Sequence, residues 1–354
     1  MSSSKEFDYT MNALKAIGII AIVASHVNIS LNAIMFSFFS WHIPLFFFIS
    51  GYFFNLDTTA FKQKIKKYIK IFYSYHFFYG LVTYFIYIFL HRIYGALPSL
   101  KTLIWAPLSY APFEISAPSW FFPALILASI FFFFSIKIIK KCNLEKFAPY
   151  IYLILAVIAI FITNSDLSPL AGTDCGLKKV VIRTLISSYY MYVGYLYKHS
   201  LEPHFKYTVK GFLFAITIQA AIYFATGGNT ALDLNYAILP HNIAPLITPF
   251  TTIYIFIYLI KKVPLKLLTS GIIYKTGNMS LNIMMNHVFA IFLTELLIIK
   301  LNHQSLSVLT DSVFKLYNID QLQFVYLCSG IILCLTFGKL QNKIKNLFKG
   351  NYET

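Results

Sequence analysis

Charged residues are scarce in this chain of 354 residues, since Asp, Glu, Lys and Arg together make up only 12% of it. A soluble domain carries about 25% charged residues, whereas here 58% of the residues are apolar or aromatic and the mean hydropathy is +0.67. Apolar runs of about 20 residues, enough for a helix to cross a bilayer, recur from end to end. This composition excludes a soluble enzyme, a secreted disulfide scaffold and a disordered protein. It predicts an all-α, polytopic membrane helix bundle.

The chain also lacks a cysteine framework. Its four cysteines have no metal-ligand spacing, and Cys328 and Cys334 point about 240° apart on a helix. We therefore expect neither a disulfide nor a metal site. No internal repeat, low-complexity tract or soluble appendage is visible, which predicts a single integral-membrane domain over residues 1–354. The first apolar stretch has no small-residue cleavage site, so we expect it to remain as the first helix.

Acidic residues are few, with 13 Asp and Glu against 29 Lys and Arg and a formal net charge of +16. In a soluble protein this excess would indicate nucleic acid binding. In a membrane protein basic loops set the orientation, so we expect no nucleic acid partner. We predict about ten membrane spans, over residues 11–28, 32–54, 71–91, 119–139, 148–164, 180–197, 209–226, 241–260, 278–298 and 321–339.

The basic residues are unevenly distributed over the two sides that these spans define. With the N-terminus in the cytoplasm, 22 Lys and Arg lie on the cytoplasmic side and seven on the other. This ratio fits the positive-inside rule, and the opposite orientation would invert it. Both termini are therefore predicted to be cytoplasmic.

The first span contains two ionisable residues, Lys15 and His26, and such residues inside a bilayer indicate function by default. Eleven residues separate them by three helical turns plus about 20°, so they share one face. Lys15 lies near the cytoplasm and His26 about 16 Å further out. Two alternatives stay open: a lysine at a helix end also snorkels to the interface, and a histidine also serves in packing.

The second span contains His42, followed by Pro44. A short loop joins the first two spans, so we expect antiparallel neighbours that bring His26 and His42 close together. Pro44 is expected to kink the helix and free a backbone carbonyl toward a cavity. A neutral imidazole in such a cavity can act as a general base near neutral pH. The alternative for His42 is a hydrogen bond between helices.

Five lysines follow the second span, and the last two, Lys67 and Lys70, share one helix face. One interpretation is an orientation signal that binds anionic lipid headgroups. The other is a clamp for the phosphates of a cytosolic cofactor.

The ninth span carries Asn278, Asn282 and Asn286 at a spacing of four, with His287 beside the last and Glu295 further along. Amides along one face commonly hold helices together in lipid. We therefore expect helix packing here, and His287 ranks below His26 as a candidate for chemistry.

Five stretches of the sequence are typical of one known family, namely KAIGIIAIVASH, WHIPLFFFISGYFF, KKYIKIFYSY, PSWFFPALIL at 118–127 and GNMSLNIMMNH at 277–287. Through them the sequence resembles the acyltransferase 3 family of bacterial membrane O-acyltransferases. The resemblance is strongest from Tyr9 to Tyr75 and loose from 128 to 270. The HIPLFFF stretch is closest to members that are sugar O-acetylases.

The resemblance implies transfer of an acyl group, usually acetyl from acetyl-CoA, to a hydroxyl of an envelope glycan or its lipid-linked precursor. It also implies a bacterial plasma (inner) membrane. The family's basic residue and histidine in the first helix fall on Lys15 and His26. Its two arginines after the second helix, thought to meet the CoA phosphates, fall on Lys67 and Lys70. Many members have arginine at these basic positions, and lysine keeps the charge but loses the bidentate fork.

We hypothesise that the thioester reaches a cavity between the first two helices. There His26 removes the hydroxyl proton or carries the acetyl briefly, while Lys15 holds charge along the route. His42 orients the acceptor or shares the proton.

Three further residues are predicted to contact the acceptor, namely Tyr52, Trp120 and His287. The two aromatic rings would stack on sugar faces, although aromatic residues are common at membrane interfaces in any case.

Two other functions compete with this hypothesis. A transporter or flippase of lipid-linked saccharides also needs many spans and intramembrane polar groups, but no inverted repeat is visible. A glycan polymerase or ligase would carry a large outer loop rich in basic residues, and the seven outer ones here are scattered. Dependence on acetyl-CoA distinguishes an enzyme from a flippase, because a flippase leaves its cargo chemically unchanged.

Overall fold

The computed structural model describes residues 7–29, 37–105, 111–164 and 176–350, and these residues form helices and loops without a strand. The helices are α1 Tyr9–His26, α2 His42–Tyr52, α3 Thr58–Leu90, α4 Phe121–Lys141, α5 Ala148–Asn164, α6 Leu177–Leu196, α7 Val209–Ala225, α8 Ala244–Ile260, α9 Leu265–Thr269, α10 Gly271–Asn278, α11 Ser280–Leu301 and α12 Ile319–Gly350. The all-α prediction is confirmed for the described residues.

Side-chain caps begin the two helices that carry most of the candidate residues. Asp8 precedes α1 and accepts a hydrogen bond from a first-turn amide at 2.9 Å. Asp57 precedes α3 and accepts one from the amide of Ala60 at 2.7 Å. Such caps satisfy amides that have no partner within the helix. At the other end α1 stops at His26, and Asn28 adopts a left-handed conformation with φ +58°.

The second predicted span differs from the structure. The helix begins only at His42, after a 3-10 turn over Phe38–Ser40, and residues 32–36 of the predicted span lie outside the described residues. Pro44 therefore sits in the first turn of α2, where a backbone amide has no intrahelical partner to lose. The expected kink and freed carbonyl at Pro44 were wrong.

Helices α1 and α6 organise the packing. Helix α1 contacts α2, α8, α10 and α11, while α6 contacts α2, α4 and α5. Helix α2 joins the two groups, because it crosses α6 at Gly51 and Gly194. A methyl group on Gly51 would overlap the Met191 carbonyl, and one on Gly194 would overlap the Phe48 carbonyl. The two backbones touch, as small residues allow between membrane helices.

Four helical segments of the described chain are long and apolar enough to cross a bilayer. Helices α7 and α8 are apolar but shorter, and many large apolar side chains elsewhere are exposed. A membrane protein with several apolar helices is therefore confirmed, whereas ten spans and cytoplasmic termini stay predictions. The four segments are Glu114–Lys141, Glu145–Thr163, Ser280–Leu301 and Ile319–Gln341.

Candidate active site

A cavity of about 500 Å³ lies where α1 ends and α2 begins. Both His26, the last residue of α1, and His42, the first residue of α2, line it. Because the two helices run antiparallel, these residues meet at one end of the bundle. We call this space the histidine cavity. The predicted proximity of His26 and His42 is confirmed.

Two rings pack against the His26 imidazole. The Phe314 ring stacks on it with centroids 5.2 Å apart, and the His287 ring lies 5.1 Å away. His287 is fully buried, and its Nδ1 lies 3.0 Å from the carbonyls of Ile283 and Met284. Since a carbonyl only accepts, Nδ1 carries the proton and Nε2 is left as an acceptor.

His287 thus lies behind His26 and is not part of the cavity wall. Among the described residues its Nε2 has no hydrogen-bond partner, although it is buried. A buried acceptor without a partner costs free energy, and the adjacent His26 ring can provide an N–H. The contact with substrate predicted for His287 does not fit this position. His287 can instead affect the reaction through its contact with the His26 ring.

His42 is fixed by its own preceding turn. Its Nδ1 donates to the carbonyl of Phe38, and the Phe39 ring packs edge-on against the imidazole at 5.3 Å. The donated bond places the proton on Nδ1 and leaves Nε2 as the acceptor. His42 therefore takes part in a hydrogen bond within its own segment and also lines the cavity.

Acidic and basic side chains from segments far apart in the sequence complete the histidine cavity. Glu114 Oε2 accepts hydrogen bonds from Ser312 Oγ at 3.0 Å and from the amide of Val313 at 3.1 Å. Asp233 Oδ1 accepts from the amide of Tyr236 at 3.1 Å, and both carboxylates line the cavity with Lys179. None of these residues was predicted as part of the site, because they lie far apart in the sequence and no local pattern links them. The cavity presents groups of both charges that can bind hydroxyls.

Trp120 lines the same cavity, as its predicted role requires. The guanidinium carbon of Arg183 lies 5.0 Å from the indole centroid, a cation–π contact. Arg183 Nε also donates to the carbonyl of Leu234 at 2.8 Å, and its Nη2 donates to that of Asn235. Arg183 therefore fixes the indole against the loop that carries Asp233.

A second cavity, of about 220 Å³, contains Lys15 and lies toward the start of α1. Lys64 and Tyr68 of α3 line it, and the Lys64 Nζ lies 5.2 Å from the centroid of the Phe54 ring. We call this space the lysine cavity. Lys67 and Lys70 are exposed on the same helix and do not line it.

Lys64 lines the lysine cavity, but only Lys67 and Lys70 of the five lysines were predicted as candidate contacts. The sequence contained an indication of this position, because Lys64 and Tyr68 are four residues apart and therefore share a helix face.

Tyr52 lies away from the other candidates for acceptor binding. It ends α2, at the opposite end from His42 and about 15 Å along the axis. Its hydroxyl lies 2.7 Å from Asp8 Oδ2 and 2.9 Å from Glu202 Oε1, and it accepts from Lys198 Nζ at 2.8 Å. Stacking on the same sugar as Trp120 does not fit this position, since α2 separates the two rings. Tyr52 instead ties the start of α1 to the segment after α6.

The amides of the ninth predicted span pack helices together, as expected. Asn286 accepts a hydrogen bond from the Tyr79 hydroxyl at 2.6 Å and donates to the carbonyl of Asn282 at 2.7 Å. Asn282 in turn donates to Gln341 of α12 at 3.0 Å. Helices α3, α11 and α12 are joined by this network. Glu295 accepts from the amide of Tyr317 at 2.8 Å and holds the loop that carries Phe314.

Within the described ranges, no group of three or more His, Cys, Asp or Glu side chains could hold a metal ion. The histidine cavity presents the imidazoles of His26 and His42 and the carboxylates of Glu114 and Asp233. A histidine beside a bound hydroxyl can take its proton, and neighbouring carboxylates can orient the other hydroxyls. This arrangement suits transfer of a group to an alcohol.

Comparison with known proteins gives one match. A family model described as an acyltransferase domain, Acyl_transf_3, matches residues 8–340, nearly the whole chain. Neither a curated protein nor a solved structure matches the sequence. The matched range includes both cavities and every candidate residue described above. The chain therefore belongs to the acyltransferase 3 family of membrane acyltransferases, as its helix-one and helix-two motifs predicted.

Proposed function

We propose that the chain is a membrane O-acetyltransferase that moves acetyl from cytosolic acetyl-CoA to a hydroxyl of an envelope polysaccharide or of its lipid-linked precursor. One observation carries the proposal: Lys15 and His26 share one helix and open into two neighbouring cavities. The membrane in question is the plasma membrane of a bacterium.

The donor enters from the side of the lysines. Lys67 and Lys70 are exposed at the start of α3, and Lys15 and Lys64 line the cavity that follows. Their charges attract the phosphates of CoA, as point charges rather than as bidentate forks. The excess of basic residues at this end supports a cytoplasmic orientation, and acetyl-CoA is made in the cytoplasm.

The acceptor binds in the histidine cavity. Glu114 and Asp233 offer carboxylate oxygens to sugar hydroxyls, and Trp120 offers an apolar surface beside them. A volume of about 500 Å³ falls within the range of small-molecule sites, about 300–1,000 Å³. Mixed charge and an aromatic wall suit a saccharide better than an apolar acceptor.

In the transfer, His26 takes the proton from the acceptor hydroxyl as its oxygen attacks the thioester carbonyl. The new C–O bond forms, the C–S bond breaks, and the leaving thiolate receives the proton as free CoA thiol. In the two-step variant His26 first accepts the acetyl as an acyl-imidazole and then passes it to the hydroxyl. His42 orients the acceptor, and Lys15 holds charge on the donor side.

Labelled acetyl-CoA tests the proposal in membranes supplied with an envelope glycan extract. The readout is label in the lipid-linked or polymeric glycan fraction, at matched protein levels. We expect His26→Ala to reduce transfer by at least about 100-fold, the usual contribution of general base catalysis. His241→Ala is the matched control, because His241 is exposed and lies outside the cavity lining.

The lysines form a second arm of the same assay. Lys67→Ala/Lys70→Ala should weaken the use of acetyl-CoA, whereas Lys62→Ala/Lys66→Ala on the same exposed helix segment should not. Unchanged transfer in His26→Ala would remove the proposed base and shift the role to His42. A wild-type protein that translocates a lipid-linked saccharide without labelling it would support the flippase alternative instead.

A further inference from the structure

The two cavities meet at a shared wall. Phe121 of α4 and Met284 of α11 line both the histidine cavity and the lysine cavity, and they are the only described residues that do so. The two cavities therefore adjoin at Phe121 and Met284, with the Lys15 side chain on one side and the His26 side chain on the other.

The wall consists of side chains that can move. Both Phe121 and Met284 are buried, with 5% and 4% of their surfaces exposed. The Phe121 ring packs on Phe47 at 5.0 Å and edge-on against Phe46 at 6.2 Å. Methionine is unbranched and flexible, so rotation about its side-chain bonds changes its shape at low cost. A different rotamer of Met284 would therefore change the opening between the two cavities.

The apolar character of Phe121 and Met284 also affects how water passes between the two cavities. The cavities on either side contain charged and polar groups, and a continuous water path between them would leak ions across a membrane. A hydrophobic constriction prevents this by excluding water. The wall must therefore stay closed except while a substrate group fills it.

We propose that Phe121 and Met284 form a gate through which the acyl end of the donor passes, and that the size of these two side chains sets the largest acyl group transferred. The inference rests on the proposed function, since it assumes a thioester donor in the lysine cavity. The acyl end leads, because the reacting carbonyl has to reach His26 while the phosphates remain with the lysines. The acyl group has to pass Phe121 and Met284 before the thioester carbonyl reaches His26, so a bulkier acyl group is hindered during entry.

Acyl-chain selectivity tests the size filter. Rates with acetyl-, propionyl- and butyryl-CoA are compared for wild type, Phe121→Ala, Phe121→Leu and Met284→Ala, and the measured quantity is the butyryl-to-acetyl ratio. We expect the ratio to rise at least tenfold in Phe121→Ala and by a smaller factor in Phe121→Leu. Phe133→Ala is the matched control, because Phe133 is a buried phenylalanine of the same helix that lines neither cavity. A ratio equal to that of wild type in folded Phe121→Leu and Met284→Ala overturns the filter.

Thiol accessibility tests the gate without any activity. Ser25 lines the histidine cavity, and Ser25→Cys is made in a chain whose four native cysteines are replaced. A small charged methanethiosulfonate reagent is then added in sealed vesicles to the face that carries Lys67. Labelling should be at least tenfold faster with Phe121→Ala than with the intact wall, whereas labelling from the opposite face should be equal.

The two measurements separate the two claims. Equal labelling with and without Phe121→Ala overturns the gate, whatever the chain is found to transfer. Faster labelling in a protein that transfers no acyl group supports the gate and overturns the proposed function instead.

Discussion

At the residue scale, the environment of His26 defines the chemistry. The imidazole lies between Phe314 and His287, and the buried Nε2 of His287 is an acceptor without a partner in the described chain. A hydrogen bond from His26 to this nitrogen would fix the tautomer of His26. The other His26 nitrogen would then be a base directed at substrate, as in catalytic triads.

The role of His287 can be tested by His287→Phe, which keeps an aromatic ring of similar size and removes the acceptor. We expect kcat to fall by about tenfold, the value of one buried hydrogen bond of about 1.4 kcal/mol. The KM of the acceptor should change little, since His287 is not part of the cavity wall. An increase in KM with unchanged kcat would instead indicate direct contact with the acceptor.

Lys64 gives a second test at this scale. Its ammonium group lines the lysine cavity, whereas Lys62 on the same helix is exposed. We expect Lys64→Ala to raise the KM of acetyl-CoA by about fivefold, equivalent to about 1 kcal/mol for one charge contact. Lys62→Ala is the control and should leave KM near the wild-type value. Equal effects of both substitutions would show that only overall charge matters.

At the scale of elements, the crossing of α2 and α6 positions His42. Gly51 and Gly194 let the two backbones touch, and the opposite end of α2 then holds His42 at the histidine cavity. The contact is rigid because backbone faces backbone. Gly18 of α1 differs, since a methyl group there would meet only side-chain atoms of Leu45 and Phe46.

Alanine substitutions at these glycines should therefore differ in their cost. Gly51→Ala and Gly194→Ala should each lower the free energy of unfolding by about 1–3 kcal/mol, because the helices must move apart. Gly18→Ala should cost less, since the Leu45 side chain can rotate away. Thermal unfolding in detergent measures all three. A loss in Gly18→Ala as large as in Gly51→Ala would contradict this account of the crossing.

Local patterns in the sequence predicted much of the fold at the same scale. Helix positions and the shared face of Lys15 and His26 follow from periodicity within a single segment. The proximity of His26 and His42 follows from one short connection. By contrast, Glu114 meets Ser312 across 198 residues of sequence, and no local period encodes such a contact. Tyr52 was misplaced for the same reason, because Glu202 comes from a segment 150 residues away.

At the scale of the whole molecule, one helix connects two chemically different ends. Helix α1 begins at Tyr9, contains Lys15 in the lysine cavity and ends at His26 in the histidine cavity. Its contacts with α2, α8, α10 and α11 hold it in the interior of the bundle. The central claim is that donor and acceptor approach this helix from opposite faces of the membrane.

Sealed vesicles of opposite orientation test this claim most directly. Labelled acetyl-CoA, which does not cross a bilayer, is added outside inside-out and right-side-out vesicles that contain the glycan acceptor. The account predicts labelled glycan only in the inside-out vesicles, where the lysine end faces the donor, and no label in either with His26→Ala. Equal labelling in intact vesicles of both orientations, or labelling only in the right-side-out ones, would contradict it.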